Sequence, residues 1–216
     1  MYFILYASEL VGTVAFALSG AVLAVQKRLD LFGILFLGVV TALGGGTVRD
    51  LILGHTPPWM FYSVEYVALA VASALVVFFV VRFSRGNDQK ISGLMDFLFV
   101  LCDALGLGIF AVIGTQAGIT GGYGDNAFLC IFLGMTTGVG GGILRDIMCG
   151  DIPFVLRKHI YAVAAIVGSG IFYILFTAGL DGTLASLAGM LITVVLRLLA
   201  WHYRWNLPKA HAEPLV

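Results

Sequence analysis

The chain has 216 residues, of which 60% are hydrophobic and only 11% are charged, with a formal net charge of zero. Soluble domains average about 45–50% apolar and about 25% charged residues, so this composition excludes a soluble globular protein and indicates an integral membrane protein. The balanced charge lacks the basic excess of nucleic-acid-binding proteins, and no nucleic-acid partner is expected. Three cysteines, all in apolar segments, favour small core residues over a disulfide framework.

Seven segments are apolar enough to span a membrane, which requires about 20 mostly apolar residues. In chain order they are residues 3–25, 31–53, 64–81, 91–118, 127–149, 161–178 and 184–201. Pro57, Pro58 and Pro153 lie in the breaks, where the fixed ring and the missing N–H stop a helix. The first segment lacks the basic region and cleavage site of a signal peptide and is expected to be a span. The sequence therefore predicts an all-α integral membrane protein, a single membrane domain over residues 1–216 with seven transmembrane helices.

Lysine and arginine residues are divided unequally between the two sides that alternating spans define. Arg49 stands alone on one side, and eleven residues share the other. These eleven are Lys27, Arg28, Arg82, Arg85, Lys90, Arg145, Arg157, Lys158, Arg197, Arg204 and Lys209. Because cytoplasmic loops carry the excess of Lys and Arg, the N-terminus is predicted to lie outside and the C-terminus in the cytoplasm.

A motif in the second span, GGGTVRD at residues 44–50, recurs in the fifth span as GGGILRD at residues 140–146. The match extends upstream, where ELVGTVAFALSG (9–20) corresponds to DALGLGIFAVIG (103–114). Residues 1–86 and 91–178 therefore form two three-helix repeats, and residues 184–205 add a seventh helix. Three crossings invert the second repeat, and inverted repeats are typical of transport proteins with a site near the bilayer midplane.

The glycine triplets demand an explanation, because each glycine costs about 1 kcal/mol in a helix relative to alanine. One hypothesis is close helix packing along ladders of small residues. The other is a kink or local unwinding that lines a polar path, since irregular backbone at membrane depth must be buried or face water. Neighbouring threonine hydroxyls would then offer neutral oxygen ligands to monovalent cations. The residues concerned are Gly44, Gly45, Gly46, Gly140, Gly141, Gly142, Thr41 and Thr137.

Charged residues inside the spans are costly and normally pair or line a polar cavity. Those singled out are Glu9, Arg49, Asp50, Asp103, Arg145 and Asp146. We expect an outer cluster of Glu9 with Arg49 and an inner cluster of Asp103 with Arg145. The clusters either tie helices together or flank a constriction, with arginine as a movable plug or carboxylates concentrating cations. No nucleophile–base pair and no metal-ligand spacing among the four histidines is visible, so no enzyme, cofactor or resident metal is expected.

The sequence resembles bacterial members of the trimeric intracellular cation channel family. The resemblance lies in two three-helix repeats, each with GGG..RD in its second helix, and in an added seventh helix. Prokaryotic members were long described as membrane proteins with glycine-transporter-type domains. The resemblance covers almost the whole chain. It implies a homotrimer in which each protomer has its own pore for monovalent cations, chiefly potassium. It also implies that the first, second, fourth and fifth helices line the pore and that the second and fifth are kinked at their glycines.

Carried onto this sequence, the resemblance assigns to the pore the two glycine triplets with their Arg–Asp pairs. These are Gly44, Gly45, Gly46, Arg49, Asp50, Gly140, Gly141, Gly142, Arg145 and Asp146. The sequence ends soon after helix seven, without the longer charged tail of animal members. The resemblance therefore implies a bacterial inner membrane rather than the reticulum. Membrane lipid is then an expected partner. The alternatives are a secondary transporter of a small amino acid such as glycine, and a non-conducting scaffold.

Overall fold

The computed structural model describes residues 2–83, 88–157 and 160–205, which form helices and connecting loops without any strand. Six helices within these ranges are long and apolar enough to cross a membrane, and a seventh apolar helix is shorter. The helices are α1 (Tyr2–Gln26), α2 (Leu31–Ile52), α3 (Val64–Phe83), α4 (Asp88–Gly118), α5 (Ala127–Met148), α6 (Phe154–Arg157), α7 (Tyr161–Thr177, the shorter one) and α8 (Gly182–His202).

Each of the seven predicted segments coincides with an apolar helix to within a few residues at either end. Three short elements were not predicted: a 3₁₀ turn at Trp59–Phe61, a π-helical turn at Ile119–Tyr123 that follows α4, and α6. Their sequences are too short to show a helical period. Arg85, Lys158 and Lys209, which contribute to the predicted sidedness, lie outside the described residues.

The helices α2 and α5 begin and end in the same way. Asp30 caps α2 by accepting the N–H of Gly33 at 2.8 Å, and Asn126 caps α5 by accepting that of Leu129 at 3.0 Å. Such side chains satisfy N–H groups that have no partner within the helix. Gly54 and Gly150 follow the two C-termini with φ of 75° and 72°, a left-handed conformation that glycine adopts without strain.

Four helices form the centre of the molecule: α1 packs against α2 and α4, and α5 packs against α2 and α4. α3 lies on α1 and α2, while α7 lies on α4 and α5, so the outer helices are placed alike in the two halves. α8 has no counterpart in the first half and packs against α4 and α7.

Two phenylalanines stack at the middle of this core. The rings of Phe16 on α1 and Phe110 on α4 lie 5.3 Å apart at 27°, and both side chains are buried. A Cβ at Gly106 would overlap Phe16, and a Cβ at Gly12 would come within 3.1 Å of Phe110. The two glycines correspond in the repeats, so each half leaves space for the phenylalanine of the other.

α2 and α5 cross with their backbones in contact. A Cβ at Gly45 would overlap the carbonyl oxygen of Thr137, and a Cβ at Gly141 would overlap that of Thr41. Because the earlier residue of each helix meets the later glycine of the other, the helices run antiparallel through the contact. The C-terminal parts of α2 and α5 therefore point to opposite ends of the molecule. The α-helical hydrogen bonding continues through both triplets, so the local unwinding considered above is not present in this structure.

The crossing predicts different effects for neighbouring glycines of one triplet. Gly45→Ala places a methyl group on a backbone oxygen that cannot move freely, and such overpacking costs about 1–3 kcal/mol. At Gly46 a Cβ would meet only Arg49, at 3.8 Å. We expect Gly45→Ala to lower the thermal unfolding midpoint in detergent, whereas Gly46→Ala leaves it unchanged or raises it slightly. Equal destabilisation by the two variants would show that this crossing does not set the stability.

Candidate functional site

The last glycine of each triplet lies beside the guanidinium of an arginine in the same helix. Arg49 and Arg145 lie three residues after Gly46 and Gly142, which places each pair on one helix face. The guanidinium Nη2 atoms lie 3.8 and 3.5 Å from the positions that Cβ atoms at these glycines would take. The middle glycine of the triplet thus permits the crossing, whereas a Cβ at the last glycine would stand at ordinary contact distance from the guanidinium.

Each arginine binds the aspartate that follows it, and that aspartate also holds the next loop. The Nε atoms of Arg49 and Arg145 donate to Asp50 and Asp146, both at 2.9 Å. The second carboxylate oxygen of Asp50 accepts the N–H of Trp59 at 2.9 Å, and that of Asp146 accepts the N–H of Phe154 at 2.8 Å. The aspartates therefore join each arginine to the 3₁₀ turn in the first half and to α6 in the second.

The Arg145 cluster, defined as Asp103, Arg145 and Asp146, is buried inside the protein. Arg145 is fully buried at 0% exposure, and its Nη1 donates to Asp103 at 2.7 Å and to the Ser19 hydroxyl at 2.8 Å. The ring of Phe99 lies 4.7 Å from the guanidinium carbon, an attractive arrangement for a cation. The predicted pairing of Asp103 with Arg145 is confirmed.

A second cation from α8 stands beside this cluster. The guanidinium carbon of Arg197 lies 4.9 Å from the ring centre of Tyr161, and the Tyr161 hydroxyl lies beside Asp103 and Arg145. Arg197 is itself buried at 3% exposure. Two carboxylates and two guanidinium groups are therefore gathered at this end of the core.

The Arg49 cluster, defined as Glu9, Arg49 and Asp50, is arranged differently. Glu9 accepts a hydrogen bond from the Tyr66 hydroxyl at 2.9 Å. Arg49 directs both Nε and Nη2 to Asp50 and forms no ion pair with Glu9 among the described contacts, although it lies close enough to attract that carboxylate. The expected cluster forms, but Glu9 and Arg49 share it without direct pairing.

One difference between the repeats lies beside each arginine. Ser19, which binds Arg145, corresponds at the same offset to Ile113, and Ile113 lines a cavity together with Arg49. An isoleucine offers no oxygen to a guanidinium, so Arg49 lacks the additional acceptor that Ser19 gives Arg145. Arg49 places both Nε and Nη2 on Asp50 instead.

A cavity of about 480 Å³ opens onto the Arg49 cluster. Its lining is Leu5, Glu9, Arg49, Asp50, Leu53, His55, Trp59, Ile113, Gln116, Ala117, Thr120 and Gly121. A narrower space of about 40 Å³ continues inward from Glu9 and Arg49 to Gly46 and Phe110, enough for two or three water molecules. The described residues contain no group of His, Cys, Asp and Glu that could hold a resident metal ion.

The two threonines before the triplets lie at helix contacts. Thr41 and Thr137 are buried, and each hydroxyl donates to a carbonyl of its own helix at 2.6 Å. Thr41 fills the space beside Gly20, and Thr137 fills the space beside Gly114. Packing accounts for both threonines here, and their role as cation ligands stays a prediction.

Sequence reasoning missed several residues that complete the clusters: Ser19, Tyr66, Phe99, Gln116, Tyr161 and Arg197. Extension of the repeat would have found Tyr66 and Tyr161, which stand 95 residues apart beside equivalent carboxylates. Arg197 is the one lysine or arginine in α8, and a single charge inside a span indicates that a partner lies nearby. Ser19, Phe99 and Gln116 carry no signal in the sequence, because only the packing of α1 and α4 brings them to the clusters.

Comparison with known proteins shows similarity over nearly the whole chain. A family model described as "Glycine transporter" matches twice, at residues 6–82 and 100–177, which agrees with the repeat. The chain is 37% identical over 208 residues to the UPF0126 inner membrane protein YadS of Escherichia coli (strain K12), with 95% of each chain covered.

Solved structures are also similar. One, described as a prokaryotic TRIC channel in 0.5 M KCl, matches with a TM-score of 0.86 and 32% identity, covering 96% of this chain and 100% of that one. Another is the TRIC trimeric intracellular cation channel orthologue from Rhodobacter sphaeroides, with a TM-score of 0.83, 31% identity and coverage of 94% and 99%.

Arg49 and Arg145 should contribute differently to the free energy of unfolding. Arg145→Met leaves Asp103 and Asp146 buried at 1% exposure without their direct partner, and breaking such a pair costs about 3–5 kcal/mol. Arg49→Met breaks one ion pair and not two, and Asp50, which is 4% exposed, keeps the N–H of Trp59, so a smaller cost than that of Arg145→Met is expected. Thermal unfolding of both variants in one detergent measures the difference, and equal losses would contradict it.

Proposed function

Since this chain belongs to the trimeric intracellular cation (TRIC) channel family, we propose that it is a monovalent cation channel of the bacterial inner membrane, with a pore in each protomer. The observation that carries the proposal is the pair of charged clusters at opposite ends of the antiparallel crossing of α2 and α5. Charges at such positions are retained where ions pass, because they are costly to bury in a membrane without a function.

The proposed path runs through the core of α1, α2, α4 and α5. It enters by the cavity at the Arg49 cluster, narrows past Gly46 and Phe110, and leaves at the Arg145 cluster. Arg145 closes that end, because its buried guanidinium fills the space between Asp103, Asp146 and Ser19. Conduction then requires Arg145 to move and the stacked rings of Phe16 and Phe110 to part. A bend at the glycine triplets is the motion we propose for the conducting state.

We propose seven membrane spans with the N-terminus outside. α7 has 17 residues, at the lower end of the range for a spanning helix, and the other six are longer. The excess of Lys and Arg then places the Arg49 cluster toward the outside and the Arg145 cluster toward the cytoplasm. In this arrangement residues 1–86 and 91–178 are inverted repeats, residues 184–205 form the added helix, and residues 1–216 make one membrane domain.

Potassium as the main ion and a homotrimeric assembly are also part of the proposal. The R. sphaeroides structure is described as a trimeric cation channel, which supports the assembly by analogy. Neutral oxygens beside single carboxylates suit a weakly hydrated monovalent cation that must bind and leave quickly. The pore assignment includes the residues expected from the sequence, among them Thr41 and Thr137.

Reconstitution of the purified protein into lipid bilayers tests the function directly. Discrete unitary currents that reverse at the potassium equilibrium potential are the expected result. The family model is described as a glycine transporter, so labelled glycine is measured in parallel liposomes. Saturable glycine exchange without unitary current would replace the channel with a carrier.

Asp103→Asn tests the closing role of Arg145. The substitution removes one charged hydrogen-bond partner of the guanidinium, an interaction worth about 1.5 kcal/mol or more. Because about 1.4 kcal/mol is a factor of ten in an equilibrium, open probability should rise about tenfold. Asp96→Asn is the matched control, since Asp96 lies two turns earlier on α4 and binds the exposed Gln26. Unchanged open probability in Asp103→Asn would remove Arg145 as the closing element.

A further inference from the structure

The Arg49 cluster has an uncompensated negative charge. Glu9 and Asp50 supply two carboxylates against one guanidinium, and Arg49 gives two of its N–H groups to Asp50. Glu9 Oε2 accepts the Tyr66 hydroxyl, whereas Oε1 accepts no hydrogen bond from the part of the chain that the structure describes. One carboxylate therefore faces the cavity without a fixed cation bound to it.

A second side chain lines the same cavity and carries an oxygen without a partner. Gln116 on α4 is 7% exposed, and its Oε1 is buried with no hydrogen bond from any described residue. Gln116 and Glu9 together line the 480 Å³ cavity and an adjoining space of about 230 Å³. A buried carbonyl oxygen without a donor is costly unless a donor, a water or a cation satisfies it.

The other half of the molecule shows what occupies the equivalent position. There Asp103, which corresponds to Glu9, is bound by Arg145, and Arg197 from α8 brings a second positive charge near it. α8 has no counterpart beside the Arg49 cluster, so no second lysine or arginine of the described ranges pairs with Glu9. At the repeat offset Gln116 corresponds to Val22, which is buried in an apolar cluster. The first half thus presents oxygens and an open space where the second half presents protein cations.

We propose that a partly dehydrated monovalent cation binds in this cavity between the Glu9 carboxylate and the side-chain carbonyl oxygen of Gln116. The site deepens the proposed function, and its place on an ion path rests on that function. A monovalent ion is favoured because Glu9 is the one free carboxylate among the described residues that line the cavity: Asp50 is engaged by Arg49 and by the N–H of Trp59. Calcium sites in proteins generally use six to eight oxygens, several of them carboxylate.

Thallium(I), an anomalously scattering substitute for potassium, locates the site in crystals of the full chain. Anomalous density between Glu9 and Gln116 is the expected result, and Glu9→Gln should abolish it. Glu65→Gln removes an equal charge from an exposed position on α3 and should leave the density unchanged. Absence of density at this position in a wild-type protein that conducts potassium would overturn the inference, as would occupation by calcium and not by thallium.

Current recordings separate a binding role from a structural one. Glu9→Gln should raise the potassium concentration for half-maximal current about fivefold, the order expected from the loss of one nearby charge. The double variant Glu9→Gln with Gln116→Glu returns a carboxylate to the cavity and should restore the wild-type value. Correctly folded Glu9→Gln with an unaltered half-saturating concentration would contradict the site. Thallium density without any current would support the site and refute the channel.

Discussion

The structure depends on the backbone contact between α2 and α5. Gly45 and Gly141 each lie on a carbonyl oxygen of the facing helix, and no residue with a side chain fits there. Close contact of this kind provides dispersion energy that lipid-facing helices cannot obtain from the hydrophobic effect. Because the two helices run antiparallel through this contact, the Arg–Asp pairs that follow the two triplets lie at opposite ends of the core.

The Arg–Asp pairs make use of that separation. Each arginine lies over the last glycine of its own triplet and binds its own aspartate, and each aspartate holds the loop that follows. The glycines and the charges are thus parts of one device, in which the middle glycine permits the helix contact and the charged pair follows it. Since the device occurs twice, the core has a charged cluster at both ends.

The two halves have diverged in how these clusters are completed. In the second half Ser19, Phe99 and the neighbouring Arg197 surround a buried Arg145, so protein groups fill the space. At the Arg49 cluster Ile113 stands at the position that corresponds to Ser19, and a cavity remains beside Glu9. One end of the core is therefore sealed and the other is open, a state that suits a closed channel with a solvated entrance.

The sequence by itself determined the membrane class, the helix boundaries to within a few residues and the repeat, because hydropathy and glycine spacing are local properties of the chain. It also predicted the pair of Asp103 with Arg145, since a buried charge requires a partner. Only the tertiary structure decided that Arg49 binds Asp50 and leaves Glu9 to Tyr66, and that Thr41 and Thr137 pack beside glycines. It also decided that Gln116 and Arg197 reach the clusters. These outcomes depend on which helix faces are in contact, and a one-dimensional pattern does not contain that information.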